Sequence, residues 1–218
     1  TKYRRIKKGD ATYATSGDST QYNWKDEDAY HYFRYEPIKW RVLNVNGTDA
    51  FLLADKALDD QKYNVSQTYI TWETCTIRSW LNGYDSSSNS YGRDYTKFNF
   101  INYAFTSSER SAIKTTEVVN DDNIYCGTEG GNDTSDKVFL LSENEVYNSN
   151  TALSYGFVKG RDTYDEGRRC KSSTFAKAMG VWSNTSSSYA GTCWWWLRSP
   201  GNTANSAAGV AYGGDVNA

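Results

Sequence analysis

Histidine, methionine and proline are almost missing from this sequence: its 218 residues hold one His, one Met and two Pro. A Ser-His-Asp or Cys-His triad therefore has one candidate base, His31, and no serine or cysteine motif adjoins it. Zinc held through imidazoles fails on the same ground, and His31 reads as an ordinary surface or half-buried residue. Excess charge is missing too. The formal net charge is -2, so no global basic field invites nucleic acid or an anionic membrane. The basic amino end (Lys2, Arg4, Arg5, Lys7, Lys8) is a short run and reads as solvated. No apolar run approaches a membrane span. No G-x-x-x-x-G-K-[ST] or G-x-G-x-x-G cradle for phosphate appears. The four cysteines, Cys75, Cys126, Cys170 and Cys193, are widely spaced with no C-x-x-C, which argues against zinc or thioredoxin-type chemistry. Two disulfides in any of three pairings, or free thiols, remain open.

What is present is aromatic and polar. There are 18 Tyr and 8 Trp, set among Ser, Thr, Asn and Gly. Such a chain forms many short strands and ordered turns rather than long helices. Tyr and Trp with Ser, Gly and Asn is also the chemistry of binding loops: rigid rings give contact area at low entropy cost, and small polar residues adapt their hydrogen bonds. Most of the rings must nonetheless be core. This composition favours an oxidising compartment, hence an extracellular or cell-surface location. The length suits a single domain over 1–218, with 1–36 as an irregular amino-terminal wrap carrying one or two strands and 37–218 as the core. No signal peptide is seen, and Thr1 is not a natural start, so the chain reads as a mature or trimmed product.

Local patterns predict the elements. Ile38, Trp40 and Val42 alternate with polar residues as on a strand, Asn46-Gly47 turns the chain, and Ala50 to Ala54 returns as a buried strand. Trp72, Thr76 and Trp80 form a helical stripe over Thr71–Gly83, with Thr71 as cap and Asn82-Gly83 as close. A helix is expected over Ser108–Lys114, with Ser107 as its cap. Residues 120–136 read as a long surface loop. Lys137 to Leu141 reads as a strand entering the Ser142-x-x-Glu145 capping box of a helix. Thr174 to Met179 is a short helix between Ser173 and Gly180. Trp194 to Arg198 is a strand broken by Pro200-Gly201-Asn202. Ala207 to Tyr212 is the next, and Gly213-Gly214 turns it toward Asp215–Ala218.

In order, Pro37–Leu43, Thr71–Glu73, Arg78–Asn82, Ala104–Glu109, Asp136–Val146 and Trp195-Trp196-Leu197-Arg198-Ser199-Pro200-Gly201 resemble the signatures of a bacterial family. It is a domain of unknown function of surface and secreted proteins, common in Gram-positive gut-type bacteria and marked by the WWLRSPG run. The resemblance spans roughly residues 36–216. More distantly, Phe139 to Val146 resembles the strand-to-helix step of formylglycine-generating-enzyme-like domains. The Trp run and Gly turn are similar to the same domains and their lectin-like relatives. The resemblance implies a C-type-lectin-like α+β fold: two to four short helices around a twisted, mostly antiparallel sheet. Those domains close with a further strand after the Gly turn. Here Asp215-Val216-Asn217-Ala218 ends the chain. Either the tail is trimmed, or a neighbour, for instance its Tyr3–Lys8 segment, completes an open edge near Val216. Formylglycine-generating oxidases use a carboxy-terminal cysteine pair. Cys170 and Cys193 are in the right half, but their flanking residues do not match.

Paired carboxylates for glycoside hydrolysis are not singled out among 26 acidic residues. Asp121, Asp122, Glu129, Asn132, Asp133 and Asp136 offer oxygen ligands of the kind calcium takes, at a spacing that matches no EF-hand; polar loops have this composition without any ion. No other cofactor is indicated. The best binding surface is the aromatic tail. On an alternating strand Trp194 and Trp196 share one face and Trp195 takes the other. That face, rimmed by Asn202, Asn205 and Tyr212, is the candidate ligand platform, unless all three indoles pack inside. Arg198 reads as structural, reaching a buried carboxylate or backbone carbonyls. The expected function is recognition of a glycan or surface protein without catalysis. The alternatives are an assembly subunit of a surface filament or complex completed by a neighbouring strand, and an enzyme on a lectin-like scaffold.

Overall fold

The computed structural model describes residues 2–11, 22–148, 150 and 154–218. The fold is mixed α+β. Its strands in chain order are β1 (Tyr3–Ile6), β2 (His31–Arg34), β3 (Trp40–Asn46), β4 (Asp49–Ala54), β5 (Lys56–Ala57), β6 (Thr116–Val118), β7 (Thr134–Asp136), β8 (Cys170–Ser172), β9 (Thr192–Cys193), β10 (Trp195–Pro200), β11 (Ala207–Val210) and β12 (Val216–Asn217). The α-helices are α1 (Thr76–Asn82), α2 (Phe100–Ala104), α3 (Ser107–Ala112) and α4 (Thr174–Met179), with a π-helical turn at Asn144–Asn148. Among the described residues the strands form separate sheets of two or three strands, not one continuous twisted sheet. Contacts gather into two compact units, each built from distant stretches. One comprises 1–61, 150–195 and 210–215; the other comprises 62–149, 196–209 and 216–218.

In the first unit β1 and β2 pair antiparallel, with Tyr3 opposite Arg34. Tyr3–Ile6, considered above as a strand donated to a neighbour, thus pairs within its own chain. Residues 12–21 of the expected wrap lie outside the described residues. Ile6 and Trp24 are buried with Ala178 and Met179 of α4, and Phe33 and Phe175 pack on them. His31 is half-buried, its Nδ1 2.7 Å from the Tyr22 hydroxyl.

The expected hairpin forms from β3 and β4. Asn46 faces Asp49, so Gly47 and Thr48 make the turn, and Gly47 takes φ 61°. A bulge between Val42 and Asn44 overturns the expected face. One extra residue shifts the side-chain alternation. Leu43 is buried instead, while Val42 and its partner Leu52 are 56% and 41% exposed. The return strand is therefore half-exposed, not buried.

The three-stranded sheet β5-β8-β9 follows, parallel between β5 and β8 and antiparallel between β8 and β9. Helix α4 matches its sequence signals. Ser173 Oγ accepts from Ala176 N at 3.0 Å, and Gly180 closes the helix at φ 126°.

In the second unit α1 starts at Thr76, not Thr71. Residues 71–74 form a turn closed by Thr74 N to Thr71 O at 3.3 Å. The helix amino end is met by Asn64 Oδ1, which accepts from Thr76 N at 3.2 Å. Gly83 ends the helix at φ 74°. Trp72, from the turn, still reaches the core with Tyr63, Ile70, Cys75, Ile77, Leu81 and Val118. Helix α3 begins one residue earlier than expected, at Ser107, and its cap is Thr106 rather than Ser107: Thr106 N donates to Glu109 Oε2 at 2.7 Å and Glu109 N to Thr106 Oγ1 at 3.3 Å. Helix α2, opened by Asn99, was not expected from the pattern.

The supposed surface loop 120–136 is anchored. Asn123 and Asp136 are buried, and Thr134–Asp136 pairs with β6. Lys137–Leu141 is irregular chain rather than a strand. The Ser142–Glu145 box forms as read, with Ser142 N donating to Glu145 Oε2 at 2.7 Å and Glu145 N to Ser142 Oγ at 3.3 Å. The last sheet has the order β10-β11-β12, with Val216 buried beside β11.

Candidate functional site

The first unit carries an exposed cluster of aromatic rings centred on Tyr212. Its ring meets Trp182 at 5.7 Å, Tyr189 at 5.4 Å and Trp194 at 6.5 Å between centroids. Tyr164 extends the cluster, 6.5 Å from Tyr189. The Tyr189 and Trp194 contacts are edge-to-face, the arrangement that the ring quadrupole favours. The Arg169 guanidinium lies 4.9 Å from the Tyr189 centroid and pairs with Glu166 Oε1 at 3.0 Å. Trp182, Trp194 and Tyr164 keep 40%, 49% and 64% of their surface exposed.

Local chain geometry sets each ring. Trp182 comes just after the Gly180 helix close, and Tyr189 ends a 3-10 turn, Ser187–Tyr189. Trp194 directly follows β9. Tyr212 precedes the Gly213-Gly214 turn, where Gly214 N donates to Ala211 O at 2.9 Å. Glycine is required at this turn. A Cβ on Gly213 would sit 2.6 Å from the Tyr164 ring, and one on Gly214 (φ 91°) only 2.1 Å from Asp165 O.

A buried arginine holds the base of this cluster. Arg168 donates from Nε to Gly214 O at 2.6 Å, from Nη1 to Val158 O at 2.9 Å, and from Nη2 to Gly160 O at 3.1 Å and Thr163 O at 2.5 Å. Asp165 Oδ2 is 3.7 Å from Arg168 Nε and accepts from Val158 N at 2.8 Å. Burial pulls the Arg168 guanidinium down from its ordinary range, and the charges of Asp165 and Asp215 oppose that pull. Trp195 Nε1 donates to Arg168 O at 3.0 Å, tying the start of β10 to the same knot.

Of the residues singled out in the sequence, the structure joins Trp194 and Tyr212. Trp196 belongs to the other unit, where its ring meets Tyr63 edge-on at 5.9 Å and remains 40% exposed. Asn202 and Asn205 also belong to that unit; Asn205 Oδ1 accepts from Thr203 Oγ1 at 2.7 Å. Sequence reasoning missed Trp182, Tyr164, Tyr189, Arg168 and Arg169. No local signal marks them, because the Arg168 acceptors are backbone carbonyls and the rings come from separated loops.

The six oxygen-bearing residues considered for calcium are each engaged by a protein donor or acceptor in the second unit. Asp121 accepts from Asn144 Nδ2 at 2.6 Å, Asp122 from Gly130 N at 3.0 Å, Glu129 from Tyr69 Oη at 3.0 Å and Asp133 from Asn120 N at 2.9 Å. Asn132 donates to Glu73 Oε2 at 3.0 Å. Asp136 is buried and accepts from Arg78 Nε at 2.8 Å, Trp72 Nε1 at 3.1 Å, Thr134 Oγ1 at 2.7 Å and Tyr84 Oη at 3.0 Å. Among the described residues, no three or more His, Cys, Asp or Glu side chains are grouped to hold a metal ion. Arg198 has the expected structural role. It donates to Val119 O at 3.0 Å and Leu140 O at 2.8 Å, and pairs with Glu145 Oε2 at 2.5 Å.

Two carboxyls of the first unit have unusual acidity. Burial pushes Asp59 up to about 6, against the pull of the Asp60 N–H and Arg4. Burial and the neighbouring Asp59 charge push Asp60 up to about 7. These groups take up and release protons near neutrality, a property also common at functional sites.

Among known proteins, no curated protein and no solved structure matches the chain. A family model does match, over residues 47–218, which include the Trp run, the Gly213-Gly214 turn and the aromatic cluster. The chain belongs to the family described as Domain of unknown function (DUF6273).

Proposed function

We propose that this chain is an extracellular or cell-surface recognition module that binds glycan, without catalysis, on the aromatic cluster of Tyr164, Trp182, Tyr189, Trp194 and Tyr212. One observation carries the reading. Tyr212 packs against three rings, yet Trp182 and Trp194 beside it remain 40% and 49% exposed. Large rings held rigid and left wet favour a ligand that covers them, since they are already ordered and lose little entropy on binding. A pyranose suits the chemistry. Its C–H face carries partial positive charge and stacks on the negative face of an aromatic ring. Arg169 and Glu166 at the rim are placed to bond hydroxyls. The C-type-lectin-like fold belongs to the same proposal and is supported by the order of the Phe139–Val146 and Trp195–Gly201 segments.

Titration of tryptophan fluorescence with a panel of oligosaccharides tests it. Trp194→Ala and Trp182→Ala should each weaken the best ligand by about tenfold or more, a loss of about 1.4 kcal/mol. Trp196→Ala, in the other unit, should bind like the parent. A parent chain whose fluorescence answers no saccharide, or a Trp194→Ala chain that binds unchanged, overturns the proposal.

A further inference from the structure

Cys170 begins β8 and Cys193 ends β9, and the antiparallel register sets them directly opposite each other. Directly opposed residues in such a pair have Cα atoms about 4.5 or 5.5 Å apart, with side chains on the same face. Both separations fall within the span of about 4.4–6.8 Å that a disulfide bridges without moving the backbone. The side chains agree with the register. Both are thiols here, and Cys193 Sγ donates to the Cys170 carbonyl oxygen at 3.5 Å.

The two differ in access. Cys193 is fully buried among Ala57, Ala176 and Val181, whereas Cys170 is partly open to solvent. They also differ in acidity. The neighbouring Cys193 side chain holds the Cys170 thiol below its ordinary range, with Arg41 adding to that pull. The neighbouring Cys170 and burial push Cys193 up. Thiol–disulfide exchange needs an accessible attacking thiolate with a second thiol close behind it. The remaining cysteines lack this arrangement. Cys75 is buried, donates to Trp72 O at 3.2 Å and is pushed up to about 12 by burial; Cys126 is exposed beside Thr128.

We propose that Cys170 and Cys193 form a reversible cross-strand disulfide, made by exchange with a small-molecule disulfide of the glutathione class. The Cys170 thiolate attacks one sulfur of the oxidant, breaks its S–S bond and releases one thiolate. Cys193 then loses its proton and attacks Cys170 Sγ. The mixed disulfide breaks, the second small thiolate leaves, and the Cys170–Cys193 bond closes. The protein gives up two electrons and two protons, and the oxidant is reduced to two thiols. This step is independent of glycan binding.

The full chain is equilibrated with oxidised glutathione, alkylated, and mapped by peptide mass without reduction. The expected product joins the peptides holding Cys170 and Cys193, with the loss of two hydrogens, and leaves Cys75 as a thiol. Alkylated Cys170 and Cys193, a Cys170 that stops as the glutathione adduct, or a bond from either one to another cysteine overturns the proposal. In Cys193→Ser, Cys170 should instead be trapped as the stable adduct. The parent map decides the matter even if that variant fails to fold.

Discussion

The Arg168 Nε donates to the carbonyl oxygen of Gly214 at 2.6 Å, joining two stretches of chain far apart in sequence beneath the aromatic cluster. The same guanidinium caps the carbonyls of Val158, Gly160 and Thr163. Loop chain of this kind has no ladder to satisfy its backbone groups, and a buried arginine supplies the donors instead.

Arg168→Ala should therefore destabilise the first unit by about 3–5 kcal/mol, since it leaves Asp165 and several carbonyls without their cation. Arg168→Lys should recover little, because a single ammonium does not reproduce the planar fork. Denaturant unfolding followed by tryptophan fluorescence measures both. A lysine variant as stable as the parent would contradict the role assigned to the fork.

The second unit has its own buried charge in Asp136. Asp136→Ala removes the acceptor for Arg78, Trp72, Thr134 and Tyr84 together. The stranded guanidinium makes this costly, about 3–5 kcal/mol. Asp136→Asn should cost less, as the amide oxygen still accepts. Thermal unfolding of the pair should rank them in that order.

Asp59 and Asp60 make stability depend on pH. Their folded values, about 6 and about 7, lie above the ordinary carboxylate value. Between about pH 4 and pH 7 the folded chain holds more protons than the unfolded chain, so stability falls as pH rises. The contribution is complete below about pH 4 and lost above about pH 7. Asp60→Asn should flatten this slope and stabilise the chain at pH 8. Denaturant midpoints across pH 4–8 give the readout, and an unchanged slope in Asp60→Asn would exclude the assignment.

Closing Cys170 to Cys193 should also show in stability. The cross-link shortens the freedom of the unfolded chain over the intervening loop, which contributes about 3 kcal/mol for a loop of this size. Oxidised and reduced chains compared at one pH should differ by that amount, and Cys193→Ser should show no difference between the two conditions.

Where local chemistry decides, the elements were legible. Ser173 and Gly180 frame α4 as their types demand, and the Ser142–Glu145 box opens a helical turn. Gly47 turns the hairpin. Beyond local range the reading failed in specific ways. The bulge between Val42 and Asn44 shifts the facing of the side chains, so alternation alone put Val42 inside. The Trp72, Thr76, Trp80 spacing was taken for one helix, yet Trp72 enters the core from a turn before α1. Two of the five cluster rings, Trp194 and Tyr212, were visible, since Trp182, Tyr189 and Tyr164 approach them only through folding.

By itself, the sequence determined the α+β class, the Ser173 and Ser142 caps, the Gly47 turn and membership of a family of unknown function. These depend on residue type and short spacing, and local backbone sterics read those directly. The tertiary structure alone decided which rings share a surface, that Arg168 supports them, and that Cys170 faces Cys193. Each of these depends on contacts between residues distant in the chain, and their geometry has no periodic trace in the sequence.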